Sequence, residues 1–377
     1  MRMHETPVVT VIYPIYKGAH QIRILLESLR AQTYPQLRAI FIDDGSKDGS
    51  ADRLRSELER IGNPDTICLM MNRPNQGLAK TYSRGFHAVA QGQDSEVGAI
   101  ESTPYVLTCH SDVRFGSPDY IAKMVEQMES HSKVAVITGQ PMIPTLAQGE
   151  SISLIEKVNL VTNLMDLFPA ETSEPLVSIG FPEGRCDLFR MEAMKAVQFY
   201  DAFLRVSGED QLLAGKLREA GWEICQAPAL KYYLSVSNEQ DSFFKLAQHQ
   251  NKFGRTTPSI LFRQKGTVNG VLGALAGFNR RKRTLLRLSQ MVSFLGYFIA
   301  LLGWLLGATG WLTVAVIVGI GLMKFAIFHR HIVELKLNFY EMMTLLAIQP
   351  FCDYYYTTGF IEGCWHVLRK DKEFVIH

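Results

Sequence analysis

Short runs of β-branched and aromatic residues alternate with segments of helical period through residues 8–139. Val8–Tyr13 (VVTVIY) predicts a strand that stops at Pro14. From Ala19 to Ala31 the apolar positions Ile22, Ile24, Leu25, Leu26 and Leu29 repeat with a helical spacing. Arg38–Ile42 predicts the next strand, and it runs into the turn cluster Asp43-Asp44-Gly45-Ser46. Ser50–Ile61 and Leu78–Ala90 predict helices on either side of a strand at Thr66–Met71. A strand at Tyr105–Cys109, a helix at Pro118–Ser130 and a strand at Val134–Gly139 continue the series, and a helix follows at Leu212–Ala220. Such alternation predicts an α/β class with a parallel, doubly wound sheet.

Ligands of these sheets bind beyond the carboxyl ends of the strands. Those places hold Pro14-Ile15-Tyr16, Asp43-Asp44, Asn72 with Asn75, and His110-Ser111-Asp112. The first turn, YPIYKGAH, has one glycine, so the G-x-G-x-x-G of a dinucleotide-binding turn is absent. A phosphate-cradling P-loop is absent as well.

The pattern changes after residue 255. Met291–Gly307 carries no charge, and Trp311–Phe328 carries one, Lys324. Each run approaches the roughly 20 apolar residues that span a bilayer. Ala308-Thr309-Gly310 predicts the turn of a transmembrane hairpin at 291–328. Arg280–Arg283 with Arg287 precede the first run, and His329, Arg330, His331 and Lys336 follow the second. Basic residues on both outer flanks put both on the cytoplasmic side. The expected location is therefore the cell (inner) membrane, with the N-terminal α/β domain facing the cytoplasm. Thr267–Phe278 is apolar but short. Asn338–Leu368 is aromatic-rich yet holds Glu341, Asp353 and Glu362, charges that are costly in lipid. Both read as membrane-surface segments. The predicted divisions are 1–255, a basic amphipathic linker at 256–290, the hairpin at 291–328 and an interfacial segment at 329–377.

Charge supports that division. Residues 255–377 hold 14 Lys/Arg against 6 Asp/Glu, whereas residues 1–254 hold 25 against 31. The net charge of +2 over 377 residues argues against a nucleic-acid binder. Six cysteines without a C-x-x-C spacing suggest neither a zinc site nor a disulfide framework. The short polar N-terminus reads as lacking a signal peptide.

Together, VTVIYPIYKGAHQIRILLESLRAQTYPQLRAIFIDDGSKDGS and NQGLAKTYSRG resemble the opening blocks of the family 2 glycosyltransferases of GT-A fold. The resemblance covers roughly Val8–Arg255. It implies a nucleotide-diphosphate sugar donor, with Pro14, Tyr16, Asp43, Asp44, Asn75 and Ser111 around it. VLTCHSDVRF stands at the family's Asp-x-Asp, which implies a divalent cation, Mg²⁺ or Mn²⁺. Asp112 matches the second acid of that motif, and His110 replaces the first. Glu209-Asp210 matches the family's Glu-Asp motif, which implies Asp210 as general base, Glu209 as its acidic neighbour and inversion at the anomeric carbon. His249-Gln250-Asn251-Lys252-Phe253 departs from the Gln-x-x-Arg-Trp of processive members. Lys252 or Arg255 is left as a candidate diphosphate ligand.

An acceptor hydroxyl needs a base, whereas a polyprenyl phosphate is already anionic. The acidic pair therefore favours a hydroxyl on a membrane-associated glycolipid or lipid-linked glycan. A polyprenyl-phosphate sugar synthase is the alternative, and a non-catalytic membrane scaffold is the second. Membrane lipids are expected partners in each case.

Overall fold

The computed structural model describes residues 6–62, 64–143, 152–164, 172–182, 184–201, 208–234, 242–263, 281–307 and 310–369. They fall into two compact units, Met1–Pro144 with Leu167–Ser235, and Thr145–Asp166 with Val236–Ile376. The first unit thus closes at 235, before the sequence-based boundary at 255. The apolar stretch 267–278 and the turn at 308–309 lie outside the described residues.

The first unit begins with β1 (Val9–Ile15), α1 (Ile22–Arg30), β2 (Leu37–Asp43), α2 (Ser50–Arg60), β3 (Ile67–Met71) and α3 (Leu78–Gln91). On α1 the buried residues are Ile22, Leu25, Leu26 and Leu29, one stripe of a helix, while Ile24 faces out. A small hairpin, β4 (Gln93–Asp94) and β5 (Gly98–Ala99), follows. Next come β6 (Tyr105–Cys109), β7 (Val113–Phe115), α4 (Tyr120–Ser130) and β8 (Val134–Met142). After α5 (Leu154–Thr162), which belongs to the second unit, come β9 (Val177–Ser178), β10 (Cys186–Arg190), α6 (Met191–Ala196), α7 (Glu209–Glu219) and β11 (Glu223–Leu234).

The main sheet runs β3-β2-β1-β6-β10-β8-β11-β7, with β9 on β11. Strands β3, β2, β1 and β6 are parallel, as the alternation predicts. Strand β10 is antiparallel to both β6 and β8, so the sheet is mixed rather than all parallel. Its register sets Cys186 against Cys109. The residues just before β10 are thereby delivered to the carboxyl end of β6. Strand β1 continues past Tyr13 through Pro14 to Ile15. Its ladder with β6 ends at Ile12–Thr108, so a residue without an N–H is tolerated beyond it.

The second unit also contains α8 (Phe243–Arg263), α9 (Arg281–Leu305), α10 (Gly310–Glu334) and α11 (Phe339–Leu368). Helix α8 lies close along α11: a Cβ at Gly359 would collide with the Asn251 carbonyl, and one at Gly363 with that of Arg255. Leu285–Leu305 and Gly310–Glu334 are long and apolar enough to cross a membrane, with mean hydropathies of 1.6 and 2.1. Most of their surface is exposed, unlike that of core helices. The three acids of α11 are paired within the unit: Glu341 with Lys157 at 2.7 Å, Asp353 with Lys324 at 2.7 Å, and Glu362 with Arg255 at 2.8 Å.

Candidate active site

Parallel register brings Ile15, Asp43 and Met71 level at the carboxyl edge of the sheet. The loops beyond them are laced together. Lys17 N–H donates to Ser46 Oγ at 3.1 Å, Gly18 N–H to Ser50 Oγ at 3.0 Å, and Ser111 Oγ to Gln21 Oε1 at 2.9 Å. The turns after β1, β2 and β6 therefore share one edge.

The adjacent acids Asp43 and Asp44 are both buried but differently employed. Asp44 Oδ1 accepts from Asn72 Nδ2 at 3.0 Å and Gln76 N–H at 2.8 Å, and its Oδ2 accepts from Gly77 N–H at 2.9 Å. Its carbonyl accepts from Asn75 Nδ2 at 2.8 Å. Gly45 makes this possible: its φ is +73°, and a Cβ there would press on the Asn75 backbone nitrogen at 2.8 Å. Asp43 Oδ2 accepts from Ser46 N–H at 3.2 Å, while its Oδ1 is buried without a hydrogen-bond partner among the described residues.

Past β6, Asp112 Oδ1 stands 4.0 Å from His110 Nδ1, and Arg185 Nη1 lies 3.1 Å from Asp112 Oδ2. His110 N–H donates to the Arg185 carbonyl at 2.9 Å, which fixes the antiparallel approach of β10. His110 Nε2 is buried without a partner among the described residues, and its ring lies over that of Tyr82. Removal from water pushes the imidazole down to about 4, and the Arg185 charge adds to the effect against the opposing pull of Asp112. His110 is therefore a neutral ligand or hydrogen-bonding group at neutral pH.

Glu209 and Asp210 open α7, where carboxylates are favoured by the helix dipole. Asp210 Oδ1 accepts the Gln211 N–H at 2.8 Å. Asp210 Cβ lies 3.7 Å from the place a Cβ on Gly184 would occupy, so Gly184-Arg185 links the surroundings of Asp210 to Asp112. Burial, with the negative charge of Asp210 beside it, pushes the Glu209 carboxyl up to about 8. Its Oε2 has no hydrogen-bond partner among the described residues.

A family model, Glycosyl transferase family 2, matches residues 10–197, about half of the chain. Residues 10–197 are a family 2 glycosyltransferase domain. Among curated relatives, the Bacillus subtilis (strain 168) protein EpsH is 28% identical over 152 residues, covering 38% of this chain and 39% of that protein. The undecaprenyl-phosphate 4-deoxy-4-formamido-L-arabinose transferase of Serratia proteamaculans (strain 568) is 29% identical over 131 residues, or 34% of this chain and 36% of the relative. The chain thus spans well under two thirds of the length of either. In fold, it is similar to a mannosyltransferase of Pyrobaculum calidifontis solved with GDP-Man and Mn²⁺. That likeness has a TM-score of 0.55 at 15% identity and covers 96% of this chain and 88% of that one.

Pro14 and Asp43 lie at the carboxyl ends of β1 and β2, and Tyr16, Asn75, His110, Ser111 and Asp112 lie on the loops that follow β1, β3 and β6 in the first unit. Glu209-Asp210 lies beyond the matched stretch, with Asp210 beside Gly184. Two of the expected residues already have protein partners. The Asp44 carboxylate accepts three hydrogen bonds that fasten the β3–α3 loop. Arg255, expected at the diphosphate, is paired with Glu362 in the second unit, which also carries Lys252. The sequence reading missed Arg185. Its one visible signal is a basic residue after a glycine at the start of the apolar run CDLF.

The surroundings of Asp112 admit a divalent cation of a particular kind. No group of three or more His, Cys, Asp or Glu able to hold a metal stands together among the described residues. Among these residues, then, no protein cage is formed. One carboxylate with an imidazole alongside fits the mode in which Mg²⁺ or Mn²⁺ uses one or two protein ligands and takes the rest from substrate phosphates and water.

Proposed function

We propose that the protein transfers a sugar from a nucleotide-diphosphate sugar to a hydroxyl of a membrane-associated glycolipid or lipid-linked glycan, with inversion. The supporting observation is the continuity of Asp112, Arg185, Gly184 and Asp210 at the edge that also holds Asp43. Asp43, with one unengaged carboxylate oxygen, is suited to accept from a base N–H or ribose hydroxyl. Tyr16, half exposed beyond β1, offers a ring face for the nucleobase. Asp112, with His110 alongside, would hold the cation, which supplies positive charge against the diphosphate.

In the reaction, the acceptor oxygen forms its bond to the anomeric carbon from the face opposite the diphosphate. The anomeric C–O bond to the phosphate breaks, and the nucleoside diphosphate leaves with that electron pair. The hydroxyl proton passes to Asp210. Burial, with the Asp210 charge beside it, pushes the Glu209 carboxyl up to about 8, which suits Glu209 to keep its proton next to the base. The two apolar helices hold the site at a membrane, where anionic lipid attracts basic flanks by about 1 kcal/mol per residue.

The likeness to the undecaprenyl-phosphate transferase supports a second reading, with a polyprenyl phosphate as acceptor. The test is to supply radiolabelled nucleotide sugars to membranes containing the protein and extract the lipid product. An acid-stable glycolipid supports the hydroxyl acceptor. A product cleaved by mild acid identifies a lipid phosphosugar and overturns that choice. No labelled lipid with any donor overturns both.

A further inference from the structure

We infer that Arg185 is a ligand of the donor's diphosphate, a role that no resemblance assigned to it. The inference rests on the donor reading above and deepens it. Three observations carry it.

The first is topological. Strand β10 begins at Cys186, opposite Cys109 at the end of β6. An antiparallel strand beginning at that edge places its preceding residue among the loops that follow the parallel strands. The bond from His110 N–H to the Arg185 carbonyl locks that placement at 2.9 Å. Arg185 is therefore held at the site by backbone, independently of its side chain.

The second is chemical. The guanidinium spends Nη1 on Asp112 Oδ2 at 3.1 Å and is the more open partner, with the Arg185 side chain 31% exposed against 18% for Asp112. Guanidinium presents five N–H donors in a planar fork, more than one carboxylate oxygen takes up. The remaining donors suit phosphate oxygens, which arginine binds bidentately. The same carboxylate thus orients the arginine and stands ready for a cation.

The third is a matter of charge. His110 stands where the motif would have an acid, so the triad of His110, Asp112 and Arg185 holds one carboxylate rather than two, with the guanidinium 3.1 Å from it. That triad opposes an incoming diphosphate less than a pair of carboxylates does, and Arg185 supplies the positive centre. Arg185 would stabilise the charge that grows on the leaving diphosphate as the anomeric bond breaks.

The test is calorimetric binding of UDP, UMP, GDP and GMP to the detergent-solubilised full chain, with Mn²⁺ and again with EDTA. For wild type we expect a preference for diphosphate over monophosphate that survives EDTA. Arg185→Met should weaken diphosphate binding by roughly 10- to 100-fold, the scale of one or two charge-assisted hydrogen bonds, and leave monophosphate binding unchanged. Arg185→Lys should recover part of that loss. Equal losses for both nucleotides, or no loss for either, would overturn the inference, because a merely structural arginine would affect them alike. If Arg185→Met fails to fold, as judged by circular dichroism, the comparison rests on Arg185→Lys. A Lys variant with wild-type diphosphate selectivity in EDTA would then reject bidentate guanidinium binding. Wild type that binds none of the four nucleotides would remove the donor reading itself, a result distinct from a wild type that binds while its variants behave alike.

Discussion

Asp44 Oδ2 accepts the backbone N–H of Gly77 at 2.9 Å, across 33 residues of chain. With Asn72 and Gln76 on its other oxygen, this carboxylate fastens the end of β2 to the start of α3. Its neighbour Asp43 keeps one oxygen unengaged among the described residues. Adjacent acids of the same type should therefore respond differently to substitution.

Asp44→Ala should lower stability by about 3 kcal/mol or more, since it strands two backbone N–H groups that lose charge-assisted bonds. Asp43→Asn should leave stability within about 1 kcal/mol and weaken nucleotide binding. Denaturant midpoints and nucleotide titrations of the two variants check this. Equal destabilisation by both would contradict the division of labour.

Glu209 makes stability depend on pH. Its carboxyl rises from 4.5 to about 8 on folding, so the folded state binds the proton more tightly. The stabilisation is fully present below about pH 4.5 and is lost as pH rises through about 8. Within that window the unfolding free energy should fall by up to about 1.4 kcal/mol per pH unit. Glu209→Gln should flatten that slope, and an unchanged slope in the variant would count against the shift.

In the second unit, Lys324 and Asp353 form an ion pair whose side chains are 1% and 0% exposed. Removing one partner leaves the other charge buried, at a cost of about 3–5 kcal/mol. Lys324→Met should therefore destabilise the detergent-solubilised protein severely. Lys324→Met with Asp353→Leu should recover most of the loss. A double variant no better than the single one would show that the pair is not the source of the effect.

The front of the fold was legible because alternating strands and amphipathic helices write their own periods into the chain. The edge holding Asp43 and Asp112 followed from the rule on strand ends. Antiparallel β10 did not follow, since the short run Cys186–Arg190 carries no signal of strand direction. Arg185 was hidden with it, because its place depends on that direction. The acids Glu341, Asp353 and Glu362 made α11 look like a surface segment. Their partners Lys157, Lys324 and Arg255 stand 107 or fewer residues away in two cases and 184 in the third, beyond the reach of local pattern. The consumption of Asp44 by the Gln76 and Gly77 backbone was equally invisible, as it depends on how one loop folds over another.

Single-turnover transfer from a radiolabelled nucleotide sugar, comparing wild type with Asp210→Asn, tests the central claim most directly. Removing a general base should slow transfer by about 10²- to 10⁴-fold while nucleoside diphosphate binding stays at the wild-type level. Transfer by Asp210→Asn at the wild-type rate would contradict the account.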